Sequence, residues 1–295
     1  MLSIIITSYK EEKTIGKAVK SFLNQKIPEK FEVLVFSPDK GTRDAVLKVA
    51  KRNKKVKHFY DSGKGKPSAL NLAFKKAKGN ILVLTDGDVY VDKNSVKELL
   101  KKFKDKNVGA VTGRPVAVNS KNDKYGYWSH LLTEHGAHLT RLERSKKGKF
   151  ISCSGYLYAM RKGIVKEIPQ DALADDALIS HIIWKKGYKI AYAPDAKVYV
   201  KFPTNWHDWI LQKTRSAGGH NQLKKYFKKG DMMRSFSKEI LFGAYKAISY
   251  PRNFKEALWT AELFLARLYL WQKIFLNINL RKKGLELWKR VESTK

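Results

Sequence analysis

Short apolar runs alternate with amphipathic stretches through the first half of the chain, and this alternation constrains the fold more than any other feature. Short apolar runs are typical of strands buried on both faces, and amphipathic stretches of helices. Strands and helices in alternation build a mostly parallel sheet covered by helices. We therefore predict an α/β fold. The predicted strands are Leu2–Ser8, Phe31–Phe36, Val56–Tyr60, Ile81–Thr85 and Gly109–Val118.

The rest of the chain is predicted to be mostly helical. Beyond Trp206 the pattern is helical, with breaks near Gly218-Gly219, Gly230 and Pro251. The other predicted helices are Glu12–Asn24, Thr42–Lys51, Ser68–Lys76, a segment from Asp92 to about Phe103, and Ala174–Lys186. The remaining predictions are a helix and a loop within residues 121–148, a strand pair within Phe150–Arg161, and short strands at Tyr188–Tyr192 and Ala196–Val200.

The length of 295 residues suits one large domain, or one domain with a helical appendage. We predict an α/β domain over residues 1–232 and a C-terminal helical region over residues 233–295. Within the α/β domain, the alternating pattern closes near residue 118. Residues 119–232 therefore form its second half.

Charge points to a polyanionic partner. The chain has 60 Lys and Arg against 27 Asp and Glu, which gives a formal net charge of +33. Nucleic acid, an anionic membrane surface and phosphorylated substrates all suit such a field. Charge alone does not choose between them.

Cysteine content and hydropathy bear on location. Cys153 is the single cysteine, so no intrachain disulfide can form, and we predict a reducing, cytoplasmic environment. A membrane span needs about 20 nearly uninterrupted apolar residues. The segment nearest to this, Ala257–Leu280, is interrupted by Glu262, Arg267, Gln272 and Lys273. We expect a protein that does not cross a bilayer.

Asp86-Gly87-Asp88 follows the buried strand Ile81–Thr85. In open α/β sheets, ligands bind beyond the carboxyl ends of the strands. Two carboxylates separated by one residue can direct oxygen ligands at one Mg²⁺ or Mn²⁺, which in turn can bridge two phosphates. The alternative is a simple Asp-Gly turn.

A basic loop precedes this motif. Residues 61–71 are spaced with glycines, carry Lys64 and Lys66, and open onto a predicted helix. Backbone amides and lysines in such a loop can approach an anionic diphosphate. A solvated basic turn is the alternative.

Two further groups lie later in the chain. Asp175 and Asp176 open a predicted helix, where carboxylates favour the N-terminus. Their mutual repulsion also tends to raise one pKa, which suits a general base. Gln212 and Arg215 share one helix face and are candidates for contacting a phosphate or an acceptor. A solvated basic helix face is the alternative, and it is the preferred interpretation when these residues are taken without the other motifs.

In chain order these residues resemble the inverting GT-A glycosyltransferases of the large family 2 group. That group includes cellulose, chitin and hyaluronan synthases and dolichyl-phosphate mannose synthases. The resemblance covers residues 2–222. The matching segments are Ile4–Glu12 for the first strand and its nucleotide loop, Gly63–Asn71 for the glycine-lysine-alanine-leucine-asparagine segment, Asp86–Asp88 for DxD, Asp175-Asp176 for the acceptor-base pair and Gln212–Arg215 for part of QxxRW.

The resemblance implies transfer of a sugar, with inversion, from a nucleoside diphosphate sugar to an acceptor hydroxyl. It places the nucleotide sugar on residues 1–118 and the acceptor on residues 119–232, with Mn²⁺ or Mg²⁺ as cofactor. Asp88, with Asp86, would bind the metal. Asp176, beside Asp175, would be the general base. The implied donor-binding residues are Thr7, Tyr9, Glu11, Asp39, Lys64, Lys66, Asn71, Asp86, Gln212 and Arg215.

Three departures from the family pattern refine these expectations. Asp39 is the acidic residue in the loop that usually reads the base, so the nucleotide is left open, with a UDP-sugar favoured. Ser216 replaces the tryptophan of QxxRW, which argues against processive synthesis. Val200 stands where a metal-binding histidine is often found, and His207 or His220 could compensate.

The aromatic, basic tail Phe254–Leu280 could lie in an anionic membrane interface, which would suit a lipid-linked acceptor. A helical pair packed on the protein is the alternative. A nucleotidyltransferase is a rival function, although its glycine-rich loop is missing after Leu2–Ser8. A nucleic-acid-binding protein is another. It is disfavoured because the lysines are spread over nearly every helix instead of clustered on one face.

Overall fold

The computed structural model describes residues 1–227, 233, 247–276 and 291–294. They fall into two compact units. The first consists of Met1–Pro115 and Arg144–Val200, and the second is drawn from Val116–Glu143 and Lys201–Thr294. The predicted boundary near residue 232 and the predicted break at Gly230 lie outside the described residues, and the division at residue 232 stays a prediction.

An eight-stranded mixed sheet carries the first unit, with the order β3-β2-β1-β4-β7-β6-β8-β5. Strands β3, β2, β1 and β4 run parallel, β7 is antiparallel to β4 and β6, and β5 is antiparallel to β8. The predicted α/β fold is confirmed. The strands are β1 Leu2–Thr7, β2 Phe31–Ser37, β3 Val56–Tyr60, β4 Ile81–Asp86, β5 Tyr90–Val91, β6 Val108–Ala117, β7 Leu157–Arg161 and β8 Lys189–Val200.

The register of the parallel strands determines where the functional edge lies. Every residue of β1 and β2 is buried, as expected for strands covered on both faces. Thr7 at the end of β1 lies opposite Phe36 on one side and Asp86 on the other. The loops that follow β1, β2 and β4 therefore leave the sheet together at its carboxyl edge.

Helices cover the sheet and build the second unit. They are α1 Ile15–Leu23, α2 Lys40–Ala50, α3 Lys66–Lys76, α4 Ser95–Lys102, α5 Lys124–Leu131, a π-helix at Leu132–His138, α6 Leu139–Lys146, α7 Asp175–Lys185, α8 Trp206–Gln222 and α9 Phe254–Phe275. Short 3₁₀ turns occur at Leu223–Lys225 and Glu292–Thr294. Within the described residues, we find no helix that combines the length and apolar character of a membrane span.

The second unit has its own aromatic core. Trp128, Trp209 and Leu263 are buried together where α5, α8 and α9 meet. The Trp128 indole N–H donates to the carbonyl of Trp259 at 2.6 Å, so this large side chain is buried with its polar atom satisfied. This packing accounts for the helical pattern beyond Trp206.

One predicted strand is absent because side-chain hydrogen bonds replace a sheet ladder. The strand pair within Phe150–Arg161 is wrong, since only β7 forms there. The backbone N–H of Cys153 donates to Ser180 Oγ, and that of Ser154 donates to Thr112 Oγ1, each at 2.9 Å. These bonds satisfy the extended segment before β7 without a partner strand.

Three other boundaries differ from expectation. The two short strands predicted between Tyr188 and Val200 are one strand, β8, which continues through Pro194 and pairs with β5 at Val198 and Tyr199. Residues 124–146 are helical throughout, without the predicted loop. The predicted break at Gly218-Gly219 is also wrong: both glycines are buried within α8, where packing outweighs their low helix propensity.

Two glycine substitutions test how closely the backbone at Gly79 packs against the start of β1. A Cβ on Gly79 would lie 2.6 Å from the carbonyl carbon of Leu2, so the backbone must shift. We expect Gly79→Ala to lower the free energy of unfolding by about 2 kcal/mol. Gly16 in α1 has nothing within 4 Å of such a Cβ, and Gly16→Ala should leave stability unchanged or raise it by up to about 1 kcal/mol. Urea denaturation of both variants checks this, and equal effects would contradict it.

Candidate active site

The motif Asp86-Gly87-Asp88 leaves the carboxyl edge of the sheet between β4 and β5. The backbone N–H of Gly87 donates to the carbonyl of Thr7 at 3.1 Å, which extends the β1–β4 register by one residue. A Cβ on Gly87 would lie 2.8 Å from Ser8 Cβ. The residue between the two aspartates must therefore be glycine, because the chain passes so close to Ser8.

Lys66 forms ion pairs with one aspartate at the end of β4 and another at the start of α7. It opens α3, following Gly65, whose φ of 99° turns the loop into the helix. Its Nζ lies 2.7 Å from Asp86 Oδ1 and 3.6 Å from Asp175 Oδ2. The side chain is only 21% exposed. Two of the separately predicted groups thus meet at one cation, while Lys64 of the same loop is exposed.

Asp176 is held by backbone N–H groups at the N-terminus of α7. Its Oδ2 accepts from Gly155 at 2.7 Å, and its Oδ1 accepts from Ala177 at 2.8 Å. A Cβ on Gly155 would come within 3.3 Å of Asp176 Oδ2, so a glycine lets the backbone approach this closely. Each carboxylate oxygen keeps a second lone pair for another donor.

Asp175 is buried, and its Oδ2 has no hydrogen-bond partner within the described structure. Burial raises the pKa of Asp175 to about 6; Lys66 opposes this shift, and the charges of Asp176 and Asp86 reinforce it. For Lys66, burial lowers the pKa, but Asp175 and Asp86 outweigh burial and raise it. The lysine therefore stays charged while Asp175 titrates.

Other buried polar atoms near this edge are also unsatisfied. Thr7 Oγ1, Ser8 Oγ and Tyr158 Oη have no hydrogen-bond partner within the described part of the chain. Burial raises the pKa of Tyr158, and the nearby charges of Asp175, Asp176 and Asp86 add to this shift. Buried polar atoms are normally paired, so this group indicates a place prepared for a polar ligand.

Three residues predicted to bind the donor form hydrogen bonds within the protein. Asp39 accepts from the N–H of Thr42 at 2.8 Å as the N-cap of α2, and from the N–H of Lys10 at 2.9 Å. Asn71 clasps the backbone of Ile168 through both ends of its amide, at 2.8 and 2.9 Å. The carboxylate of Glu11 accepts from Thr14 at 2.7 Å. These bonds hold the loops at the edge, and donor contact by these residues stays a prediction.

The remaining predicted residues lie at the sheet edge and on α8. Tyr9 is 53% exposed beside the edge, and Asp88 is half-buried in the link to β5. Gln212 and Arg215 lie on α8 in the second unit, with His207 and His220 on the same helix. Their predicted roles are untested. Among the residues that the structure describes, no three His, Cys, Asp or Glu side chains come together in a way that would hold a metal ion by themselves.

Sequence reasoning missed Ser8, Gly155 and Tyr158. Ser8 was treated as part of a strand, although its place beside an Asp-Gly-Asp turn could have drawn attention to it. Tyr158 lies in a segment with two tyrosines, and alternation alone does not show which one faces the site. Gly155 carries no signal, because its role depends on α7 lying against it.

The family model described as "Glycosyltransferase like family 2" matches residues 1–219. The chain belongs to this family. Among curated family relatives, "Probable glycosyltransferase YdaM" of Bacillus subtilis (strain 168) is 25% identical over 89% of this chain and 66% of its own length. "Poly-beta-1,6-N-acetyl-D-glucosamine synthase" of Staphylococcus aureus (strain COL) is 26% identical over 77% of this chain and 56% of its own length. The chain thus spans less than two thirds of either relative.

Solved structures share the GT-A type of fold. The mannosyltransferase PcManGT from Pyrobaculum calidifontis, in complex with GDP-Man and Mn²⁺, has a TM-score of 0.66 at 21% identity and covers 94% of this chain and 84% of its own. S. aureus TarS 1-349, in complex with UDP-GlcNAc, has a TM-score of 0.57 at 16% identity over 97% of this chain and 76% of its own. The glycosyltransferase fold predicted from the motifs is confirmed.

Substitution of Lys66 gives a pH-dependent prediction. In Lys66→Met, Asp175 loses the cation that lowers its pKa, so its pKa should rise above 6. A carboxyl whose folded pKa lies above its unfolded value stabilises the fold at low pH, and this stabilisation is lost as the pH rises through the folded pKa. In metal-free buffer, Lys66→Met should lower the free energy of unfolding by about 3 kcal/mol at pH 8 and by clearly less at pH 5.

Two controls make the prediction specific. Lys64→Met removes an exposed lysine from the same loop and should change the melting temperature little at either pH. Adding Asp175→Asn to Lys66→Met should recover part of the loss at pH 8, because the uncompensated carboxylate is gone. Thermal unfolding at both pH values measures this. Equal losses at pH 5 and pH 8 in Lys66→Met would show that the two residues are not coupled.

Proposed function

We propose that this chain transfers a sugar from a nucleoside diphosphate sugar to an acceptor hydroxyl, with inversion at the anomeric carbon. The observation that carries the proposal is the convergence of Lys66, Asp86 and Asp175 at the carboxyl edge of the sheet, in a member of a glycosyltransferase family. Two structural neighbours have GDP-Man and UDP-GlcNAc bound. Of the donor classes, we propose a UDP-sugar for this chain.

The charge of the site supports a requirement for divalent metal. The charges of Asp86, Asp175 and Asp176 all act on the one cation Lys66 and raise its pKa. Such a site repels a bare diphosphate. Mg²⁺ and Mn²⁺ accept one or two protein carboxylates when substrate phosphates and water complete the shell, and the Asp88 and Asp86 oxygens suit this chemistry. When bound, the ion would neutralise charge on the leaving diphosphate.

Asp176 is the proposed general base. Its two backbone hydrogen bonds fix the orientation of its carboxylate, and the free lone pairs can accept the proton of an acceptor hydroxyl. As that proton moves to Asp176, the acceptor oxygen forms a bond to the anomeric carbon. The bond to the diphosphate oxygen breaks, and its electron pair leaves with the nucleoside diphosphate. Attack opposite the leaving group inverts the configuration.

Asp175 and Lys66 are proposed to support this chemistry. Lys66 is matched by two carboxylates and stays in place, so it orients Asp86 and Asp175. The exposed Lys64 has the freedom to meet a diphosphate. Gln212 and Arg215 are proposed as further donor-binding residues from the family pattern, together with Thr7, Tyr9, Glu11, Asp39 and Asn71.

The acceptor is proposed to be a sugar, a glycan or a lipid-linked hydroxyl, modified in a non-processive way. Ser216 in place of the motif's tryptophan supports the non-processive part. The net charge of +33 supports a peripheral location at the inner, anionic face of the cell membrane. Membership in a glycosyltransferase family disfavours both alternatives, the nucleotidyltransferase and the nucleic-acid-binding protein.

A thermal-shift screen tests the donor. We expect UDP-sugars with Mn²⁺ to raise the melting temperature, since a ligand that binds only the native state stabilises it. Asp88→Ala should abolish the metal-dependent part of this rise, and Asp105→Ala, an exposed residue in the turn before β6, should not. If only GDP-sugars raised the melting temperature, the donor nucleotide would be GDP and not UDP. No shift with any nucleotide sugar would overturn the proposal.

Neighbouring substitutions test the base. Asp176→Asn should lower kcat by about 10²-fold to 10⁴-fold, because the acceptor proton then has no base. The donor-induced rise in melting temperature should be kept. Asp175→Asn makes the same change one residue away and should retain more activity. If Asp176→Asn stayed fully active while Asp175→Asn lost transfer, the base would be Asp175.

A further inference from the structure

Helix α9 has apolar side chains on two opposite faces. Its inner face is buried in the second unit through Thr260, Leu263, Ala266, Leu270 and Ile274. At about 100° per residue, the exposed apolar side chains fall on the other side of the helix. We call this exposed set the α9 stripe: Phe254, Leu258, Leu265, Leu268 and Phe275.

The α9 stripe is far more exposed than apolar side chains on a soluble helix normally are. Phe254 is 78% exposed, Leu265 66% and Phe275 60%. A helix that faces water on one side carries polar residues there. The 22 residues of α9 extend over about 33 Å, so the stripe is a continuous apolar surface and not a set of isolated side chains. Contiguous exposed apolar surface marks an interaction site.

Aromatic rings border the stripe. An open groove of about 320 Å³ beside Leu265 is lined by Trp206, Tyr269 and the ion pair between Lys124 and Glu262. The ring centroids of Trp206 and Tyr269 lie 5.7 Å apart, and each residue is more than two fifths exposed. Trp and Tyr have an apolar body and a polar atom, and they are enriched where lipid meets water.

Charge selects among the partners that could cover this surface. Basic residues outnumber the two acidic residues of α9, Glu256 and Glu262, and Glu262 at the border of the stripe is paired with Lys124 at 2.8 Å. Lys255 and Lys273 lie on the same helix. The chain as a whole carries a formal +33, so a second copy would be repelled, whereas anionic lipid would be attracted.

We propose that the α9 stripe, with Trp206 and Tyr269, is the surface through which this protein rests on an anionic lipid bilayer. Helix α9 would lie in the interface plane, with its stripe among the acyl chains and its lysines at the headgroups. This proposal rests on the peripheral location proposed above but not on the sugar-transfer chemistry. Helix α9 lies beyond residues 1–219, which the family model matches.

Vesicle co-sedimentation tests the surface without a transferase assay, so its failure is separate from failure of the proposed function. The wild-type protein should bind vesicles of phosphatidylcholine mixed with phosphatidylglycerol, and bind pure phosphatidylcholine more weakly. Added salt should reduce the binding. The variant Leu265→Glu with Leu268→Glu should bind the mixed vesicles at least about tenfold more weakly, because it places two carboxylates in the stripe.

A matched control separates the stripe from general charge. Each Leu→Glu change removes one unit of charge, and Lys106→Glu, at an exposed turn in the first unit, removes two at once. This control should bind like the wild type, and all three proteins should melt at the same temperature. Equal loss in both variants, or no wild-type binding, would overturn the proposal. It would also be overturned if a wild-type dimer became a monomer only in the stripe variant, because the stripe would then join two copies.

Discussion

The ion pairs of Lys66 with Asp86 and Asp175 hold the site together, at 2.7 and 3.6 Å. They connect the end of a parallel strand to the start of α7, two elements far apart in the chain. One ammonium group faces carboxylates that belong to different motifs, so the geometry of each motif depends on the other. A buried charge arrangement of this kind contributes little net stability, but it is strongly destabilised when one member is removed.

The parallel half of the sheet could be predicted because its central strands are buried on both faces. The mostly apolar runs of β1 and β4 are too short and too uniformly apolar to suggest an amphipathic helix. The antiparallel half was harder. Whether residues 150–154 pair as a strand depends on hydroxyl groups of Thr112 and Ser180, which replace a ladder and leave no local pattern. The two short strands predicted between Tyr188 and Val200 are likewise one strand, β8, which continues through Pro194.

Residue type predicted which side chains belong to the candidate site, but not the contacts between them. Aspartates at strand and helix ends were natural candidates, and the structure brings Asp86 and Asp175 to one lysine. Asp39 and Asn71 were predicted to bind the donor from the family resemblance, and their hydrogen bonds fix loops of the same edge. Polar side chains that organise a loop and those that contact a ligand are of the same residue types. Only their hydrogen-bond partners distinguish them. The tail gave a similar ambiguity, since membrane contact and packing both explain an apolar helix, and α9 has a separate face for each.

The unpaired oxygens at the carboxyl edge follow from the same arrangement. A buried polar atom without a partner costs roughly 1–3 kcal/mol. Thr7, Ser8 and Tyr158 each have one, while the β1 and β4 strands beneath them are almost fully buried. The rigid sheet can hold these atoms in place because its own packing does not depend on them. A ligand that supplies hydroxyl groups would satisfy these atoms at little conformational cost, since the protein groups are already ordered. The sugar portion of a nucleotide sugar, rich in hydroxyls and neutral, has the chemistry that such atoms lack.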